Sequence, residues 1–320
     1  MLAALLSRTW AVVLLVLFST VLCADQHTGS RHILKRDGRE LEVHISEQFE
    51  PAMHKNLLNW IDFLSENLAQ VFGHWPRNHW QVSIEPASAA GDDPIPWAQV
   101  HRGKPDRVEF FTTSWATQEQ LKHAWTGYHE FAHLLIPYRG WGDAWFSEGL
   151  ASYYQNLLRA RAGVLSARQV WQKLYEGYQR GVADSRFDGQ TLESVSDNLR
   201  RNGAFMRVYW SGAWYFLVAD TRLRQRSGGR RTLDQALERL NDCCADQSLS
   251  VPQIVAKLDE LNDVDLFRPL YQQAIATTRI PSYIPPFRDL GITVANDQLD
   301  FKQHGEAARL RAQIIRDDSL

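Results

Sequence analysis

The chain has 320 residues, 44% of them hydrophobic and 22% charged, with a formal net charge of −2. Such a composition supports a packed core and excludes a disordered or low-complexity chain. The near-neutral charge, with no basic stripe, excludes an electrostatic grip on nucleic acid or an anionic membrane. In chain order, Arg8 precedes an apolar run from Ala11 to Leu22 that ends at Cys23-Ala24-Asp25. An apolar core of about a dozen residues followed by small ones predicts a signal peptide over 1–24 rather than a spanning helix. The protein is therefore expected to be exported, to a periplasm or the exterior, with no membrane span after removal of the leader. An uncleaved anchor and lipidation of Cys23 are the alternatives.

Residues 25–38 are polar and expected to fray, whereas Arg39 to Ile45 alternates polar and apolar, predicting a half-buried strand. From Pro51 to Phe72 apolar residues (Met53, Leu57, Trp60, Ile61, Leu64, Leu68) recur at helical spacing and predict a long amphipathic helix. Trp80 to Glu85 alternates again, and strands at Ala98–His101 and Arg107–Thr112 flank a Gly-Lys-Pro turn. This gives an N-terminal α+β lobe over 25–135, closing with a helix that bears His129 and His133. Helices are expected near 147–162, 166–181, 203–227, 232–242, 250–262 and 264–278, a helical lobe over 136–280. Residues 281–320 follow as a rigid connector, rich in proline from Ile280 to Pro286, and a last helix from Gly305 to Arg316. Arg222, Arg224, Arg226, Arg230 and Arg231 read as a solvated helix end near the negative pole of the dipole. Cys243 and Cys244 are adjacent, which disfavours a relaxed disulfide. They are expected to be small buried apolar side chains, with metal binding or redox switching as the alternative.

The chemistry-bearing segment is His129-Glu130-Phe131-Ala132-His133. On a helix, positions i and i+4 share a face, so both imidazoles reach one metal, and the carboxylate of Glu130 lies where it can face a water there. Downstream, Leu134 to Ser147 holds Pro137, Gly140 and Gly142, enough chain to end one helix and start another. Glu148 is then a candidate third ligand in a first helical turn; the other reading is a carboxylate placed there by the helix dipole. Three protein ligands leave a position open, as in a catalytic rather than a structural site. Two imidazoles and a carboxylate suit one zinc ion. His123, His44, His54, His74, His79 and His101 lack ligand spacing.

With Trp145-Phe146-Ser147-Glu148-Gly149-Leu150-Ala151-Ser152-Tyr153 following it, the motif resembles the gluzincin metallopeptidases, in particular the aminopeptidase N-type and glycyl aminopeptidase families. Val208-Tyr209-Trp210-Ser211-Gly212-Ala213 resembles the segment that carries a transition-state tyrosine in those families. The likeness spans roughly 107–240. It implies an α+β, thermolysin-like catalytic core, a small mixed-sheet lobe followed by a mainly helical lobe with zinc in the cleft between them. The implied activity is hydrolysis of a peptide or protein substrate, with Glu130 as general base and Tyr209 donating to the tetrahedral oxyanion. The other reading of Tyr209 is a core tyrosine on an aromatic helix.

Departures bear on specificity. The aminopeptidase N-type families carry a Gly-x-Met-Glu-Asn segment whose Glu binds the substrate's amino group, and Pro96-Trp97-Ala98-Gln99-Val100-His101-Arg102 has no acidic residue. Internal and terminal cleavage both stay open. The loop between His133 and Glu148 is shorter than in the aminopeptidase N-type family, and the chain is expected to be a minimal catalytic unit. Val108 to Thr113 is either an edge strand that pairs with an extended peptide or an interior strand. Two rivals remain. Glu130-x-x-His133 is half of a ferritin-like di-iron site, but no second Glu-x-x-His occurs. An exported binding or scaffold protein that keeps the fold without the catalysis is the second.

Overall fold

The computed structural model describes residues 29–88, 91–138 and 143–316, and the expected signal peptide lies outside them. Strand β1 (Gly29–Arg36) pairs antiparallel with β2 (Arg39–Ser46) along its whole length. Asp37 and Gly38 join them with φ of 48° and 75°, the left-handed pair that a two-residue turn requires. The polar stretch expected to fray is thus a strand, because ladder hydrogen bonds from β2 hold it irrespective of its polarity. Helix α1 (Pro51–Phe72) begins on its proline and ends at Gly73 with φ 75°, both favourable helix boundaries. It carries the chain across to β3 (His79–Pro86), parallel to β2.

β4 (Trp97–His101) and β5 (Asp106–Thr112) complete a sheet of order β1-β2-β3-β5-β4. β5 is interior, parallel to β3 and antiparallel to β4. The edge beside the metal helix is therefore β4, not Val108–Thr113, since the later strand inserts between β3 and β4. Alternation along β5 turns Phe110 inward, where its ring meets Trp60 and Phe131. Glu109 points to the other face and accepts from Gln99 Nε2 at 2.9 Å, with His101 Nε2 also at 2.9 Å.

Helix α2 (Gln118–His123), capped reciprocally by Thr117 and Gln120, leads into α3 (Trp125–Ala132), which tightens into a 3-10 turn over His133–Leu135. Beyond it the chain is mainly helical: α4 (Ala144–Arg161), α5 (Ala167–Ala183), α6 (Leu192–Asp197), α7 (Leu199–Asn202), α8 (Phe205–Ser227), α9 (Leu233–Cys244), α10 (Val251–Asn262) and α11 (Phe267–Ile275). The stretch expected as a connector and tail holds more structure: α12 (Ile284–Asp289), a hairpin of β6 (Ile292–Ala295) and β7 (Gln298–Phe301), then α13 (Glu306–Ile315). Pro285 and Pro286 fall in the first turn of α12, where a missing N–H leaves no bond unmade. Among the described residues no helix is long and apolar enough to cross a membrane.

Two readings of composition are corrected. The arginines at the end of α8 are a solvated end only in part: Arg226, Arg230 and Arg231 are exposed. Arg224 is buried and pairs with Asp220 at 2.8 Å, while Arg231 and Arg226 donate to carbonyls of Asn262 and Asp265 at 3.0 and 3.3 Å. Those carbonyls lie at and just beyond the C-terminal end of α10, which attracts positive charge. Cys243 and Cys244 form a vicinal disulfide in the last turn of α9, Cys244 buried and Cys243 exposed.

Helices α4 and α8 cross where Gly149 meets Gly212. A methyl at either position would overlap the other helix's backbone. The crossing sets Glu148, one residue before Gly149, beside Tyr209, one turn before Gly212.

Candidate metal centre

His129 and His133 come from the helix that packs on the sheet, and Glu148 from the first long helix of the helical lobe, so the centre lies where the two lobes meet. The expected ligands converge: one nitrogen from each imidazole and one Glu148 oxygen all lie within 4.8 Å of one another. His129 Nε2 is 3.1 Å and His133 Nε2 3.6 Å from Glu148 Oε2. Glu148 sits in the second turn of α4 rather than the first, because Asp143 adopts a left-handed conformation (φ 55°) and starts the helix at Ala144. Aspartate tolerates that conformation.

Each imidazole is fixed through its other nitrogen. His129 Nδ1 donates to Gln155 Oε1 at 2.8 Å and His133 Nδ1 to Ser147 Oγ at 2.9 Å. Both Nε2 atoms are thereby turned to one point, the arrangement in which a second partner orients a metal-binding histidine. Gln155 and Ser147 are absent from the sequence-based site. Their signal lay in helical spacing alone: Gln155 is two turns beyond Glu148 on the same face of α4. Arg102 donates to the His133 carbonyl and anchors the end of α3 to the β4–β5 turn.

Burial governs the electrostatics. It pulls His133 down to about 3, so that imidazole is neutral and available as a ligand. Burial also opposes charge on His129, but hydrogen bonding and charge from Glu148 outweigh it and raise that pKa. Glu148 is correspondingly lowered, burial being more than offset by both histidines and by a hydrogen bond from Tyr209. Burial pushes the Glu130 carboxyl up to about 7; His129 and Arg102 oppose this and Glu148 adds to it.

Tyr209 is thus at the centre rather than in the core. Its hydroxyl hydrogen-bonds Glu148, and its ring stacks on His129 with centroids 6.1 Å apart. Burial, then the Glu148 charge, raise its pKa well above the usual tyrosine range. His123, discounted as a ligand, instead faces Glu119 at 3.2 Å on α2. The donor set of two imidazole nitrogens and a carboxylate, with both Nδ1 atoms already bonded, fits a zinc ion.

Comparison with known proteins agrees with this geometry. Residues 141–221, which contain Glu148 and Tyr209, match the family model of the M61 glycyl aminopeptidases. No curated protein sequence matches the chain. Among solved structures, an aminopeptidase N family protein from Idiomarina loihiensis superposes with a TM-score of 0.61 at 14% identity, over 83% of this chain and 50% of that one. An M1 zinc metallopeptidase mutant from Deinococcus radiodurans, bound to a Tyr-Ser-Ala substrate, gives 0.50 at 13% identity, over 79% and 53%. The chain spans about half the length of each, and at such identities the likeness is one of fold. Sheet lobe and helical lobe thus share the fold of these aminopeptidase N-type structures, and the stretch that carries Glu148 and Tyr209 is similar to the M61 glycyl aminopeptidases, consistent with a gluzincin aminopeptidase-like catalytic core.

Proposed function

We propose that the protein is a zinc-dependent peptidase and that its substrate is a peptide or protein. The observation that carries this is the convergence of His129, His133 and Glu148, with Tyr209 hydrogen-bonded to Glu148 and the buried Glu130 beside His129 in sequence and within reach of the Glu148 charge. Bound zinc supplies Lewis acidity there, activating a water and polarising the scissile carbonyl. Glu130 accepts the proton from the water and passes it to the leaving amine; a carboxyl near neutrality serves both steps. Tyr209 stays protonated and turns its hydroxyl from Glu148 to the carbonyl oxygen as negative charge develops on it. β4, the outermost strand of the sheet among the described residues, offers backbone groups to an extended peptide. The peptide-bound Deinococcus enzyme supports the same substrate class. No acidic side chain comes from β4, and Glu109 is turned to the far face, so the reading needs no free amino terminus on the substrate.

The test is cleavage of a diverse peptide library by zinc-loaded protein, chelated protein and Glu130→Gln. Cleavage should vanish on chelation, return with zinc, and fall by about 10²–10⁴ in Glu130→Gln while that variant still binds zinc. Stoichiometric zinc with no peptide cut would leave the binding or scaffold reading. We also place the protein among exported ones; a mature N-terminus beginning just after Cys23 or Ala24, read by mass spectrometry, checks this.

A further inference from the structure

Beside the centre, between α4, α5 and α8, lies a cavity of about 380 Å³. It shares a wall with the metal cluster. Gln155, Trp125 and Tyr209 all line it, and all three touch His129, by a hydrogen bond of 2.8 Å and by ring contacts at 5.4 and 6.1 Å. A group held there is next to the bond to be cut.

The opposite side is cationic. Arg159, Lys173 and Arg180 line the cavity and, among the described residues, no Asp or Glu does. Spacing explains the convergence: Gln155 and Arg159 are one turn apart on α4, and Lys173 and Arg180 two turns apart on α5. Lys173 already meets Glu176 at 3.0 Å. Arg180 lies over the ring of Trp210 at 5.1 Å, a contact that aims the guanidinium without neutralising it. Arg159 donates one N–H to the His123 carbonyl at 2.8 Å, and its Nε is buried without a hydrogen-bond partner. Among the described residues neither arginine has a carboxylate partner. Arg159 is half-buried while Arg180 and Lys173 are exposed at the rim; a partly desolvated guanidinium such as that of Arg159 is stabilised by a bidentate carboxylate, and the rim charges attract one.

We propose that this cavity is a substrate subsite for a carboxylate, borne by an acidic side chain near the scissile bond or by the C-terminus of a short peptide. The inference rests on the peptidase reading of the adjoining centre.

The experiment uses the zinc-loaded full chain and two matched sets of N-acetylated peptides. One set exchanges Glu for Gln at each position in turn; the other compares free C-terminal acids with their amides. The readout is the ratio of kcat/KM, acid over neutral, in the wild type and in Lys173→Gln/Arg180→Gln. The expected ratio is about tenfold in the wild type, the order set by charge-assisted hydrogen bonds, and close to one in the double variant. Arg180→Lys should restore part of it. A ratio confined to the Glu/Gln set identifies the side chain as the source, and one confined to the acid/amide set identifies the terminus. The same peptides are titrated against the fluorescence of the protein's tryptophans, Trp125 and Trp210 among them, a readout that needs no turnover. Acid-selective binding lost in the double variant, without any cleavage, upholds the subsite and overturns the peptidase reading. A ratio near one in both cleavage and binding, or a preference that survives the double substitution, overturns the subsite.

Discussion

At the scale of single residues, Gln155 and Ser147 decide what the two histidines can do. An imidazole with an unheld Nδ1 can rotate or present either nitrogen; one that donates to Gln155 Oε1 or Ser147 Oγ presents Nε2 only. Replacing Gln155 by Leu should therefore weaken zinc binding by about 10–100-fold, measured by competition with a chromophoric chelator. Tyr209 acts differently. Its hydroxyl contributes to catalysis only as charge builds on the substrate oxygen, so Tyr209→Phe should lower kcat by about 10²–10³ and leave KM little changed. A loss shared equally between kcat and KM would argue that Tyr209 merely shapes the pocket.

At the scale of elements, the contact between α4 and α8 positions the third ligand against the tyrosine. Gly149 and Gly212 let the two backbones meet without an intervening side chain, which brings Glu148 and Tyr209 within hydrogen-bonding reach. Gly212→Ala forces the helices apart, an overpacking that typically costs about 1–3 kcal/mol. Its thermal midpoint should fall and its activity with it, whereas Tyr209→Phe should lose activity at a nearly unchanged midpoint. Unaltered activity in a folded Gly212→Ala would show that the crossing does not set the site.

At the scale of the molecule, a buried network ties sheet, metal helix and helical lobe together. Arg77 Nε donates to Asp106 Oδ2 at 2.8 Å, and its Nη atoms reach Asn241 Oδ1 of α9 at 3.1 Å and the Ile136 carbonyl at 3.2 Å. Arg102 lies 3.6 Å from the same Asp106 oxygen. Burial would raise the Asp106 pKa, yet Arg77 and Arg102 more than reverse this and hold it below the usual range. A folded pKa below the unfolded one gives stability that is full above the unfolded value of about 3.9 and is lost as pH falls through the folded value. Asp106→Asn should thus cost about 3–5 kcal/mol at pH 7. The gap to wild type, followed by urea unfolding, should narrow steadily into the acid range. A gap independent of pH would mean that the ion pair is not its source. Zinc acts on the same scale: at a free concentration of 100 times its Kd it should add about 2.7 kcal/mol, read as a midpoint that falls when chelator is added.

What the sequence determined by itself is what local geometry encodes. The i, i+4 spacing of His129 and His133 places two imidazoles on one face whatever surrounds them, and the 3.6-residue period reveals α1, α4 and α8. Glu148 was legible as a candidate from its distance to His133 at the start of a second helix, whereas Tyr209 was legible only through a resembled motif. Tertiary structure alone decided which strand is the edge, since β5 inserts beside β3 and leaves the earlier β4 outermost. It also made a strand of the polar residues before Asp37, buried Arg224 against Asp220, and joined Cys243 to Cys244. The cationic cavity belongs to the same class, because Arg159 and Arg180 meet only when α4 and α5 pack with α8. Periodicity fixes which face a side chain occupies; only the packing of distant segments fixes what that face meets.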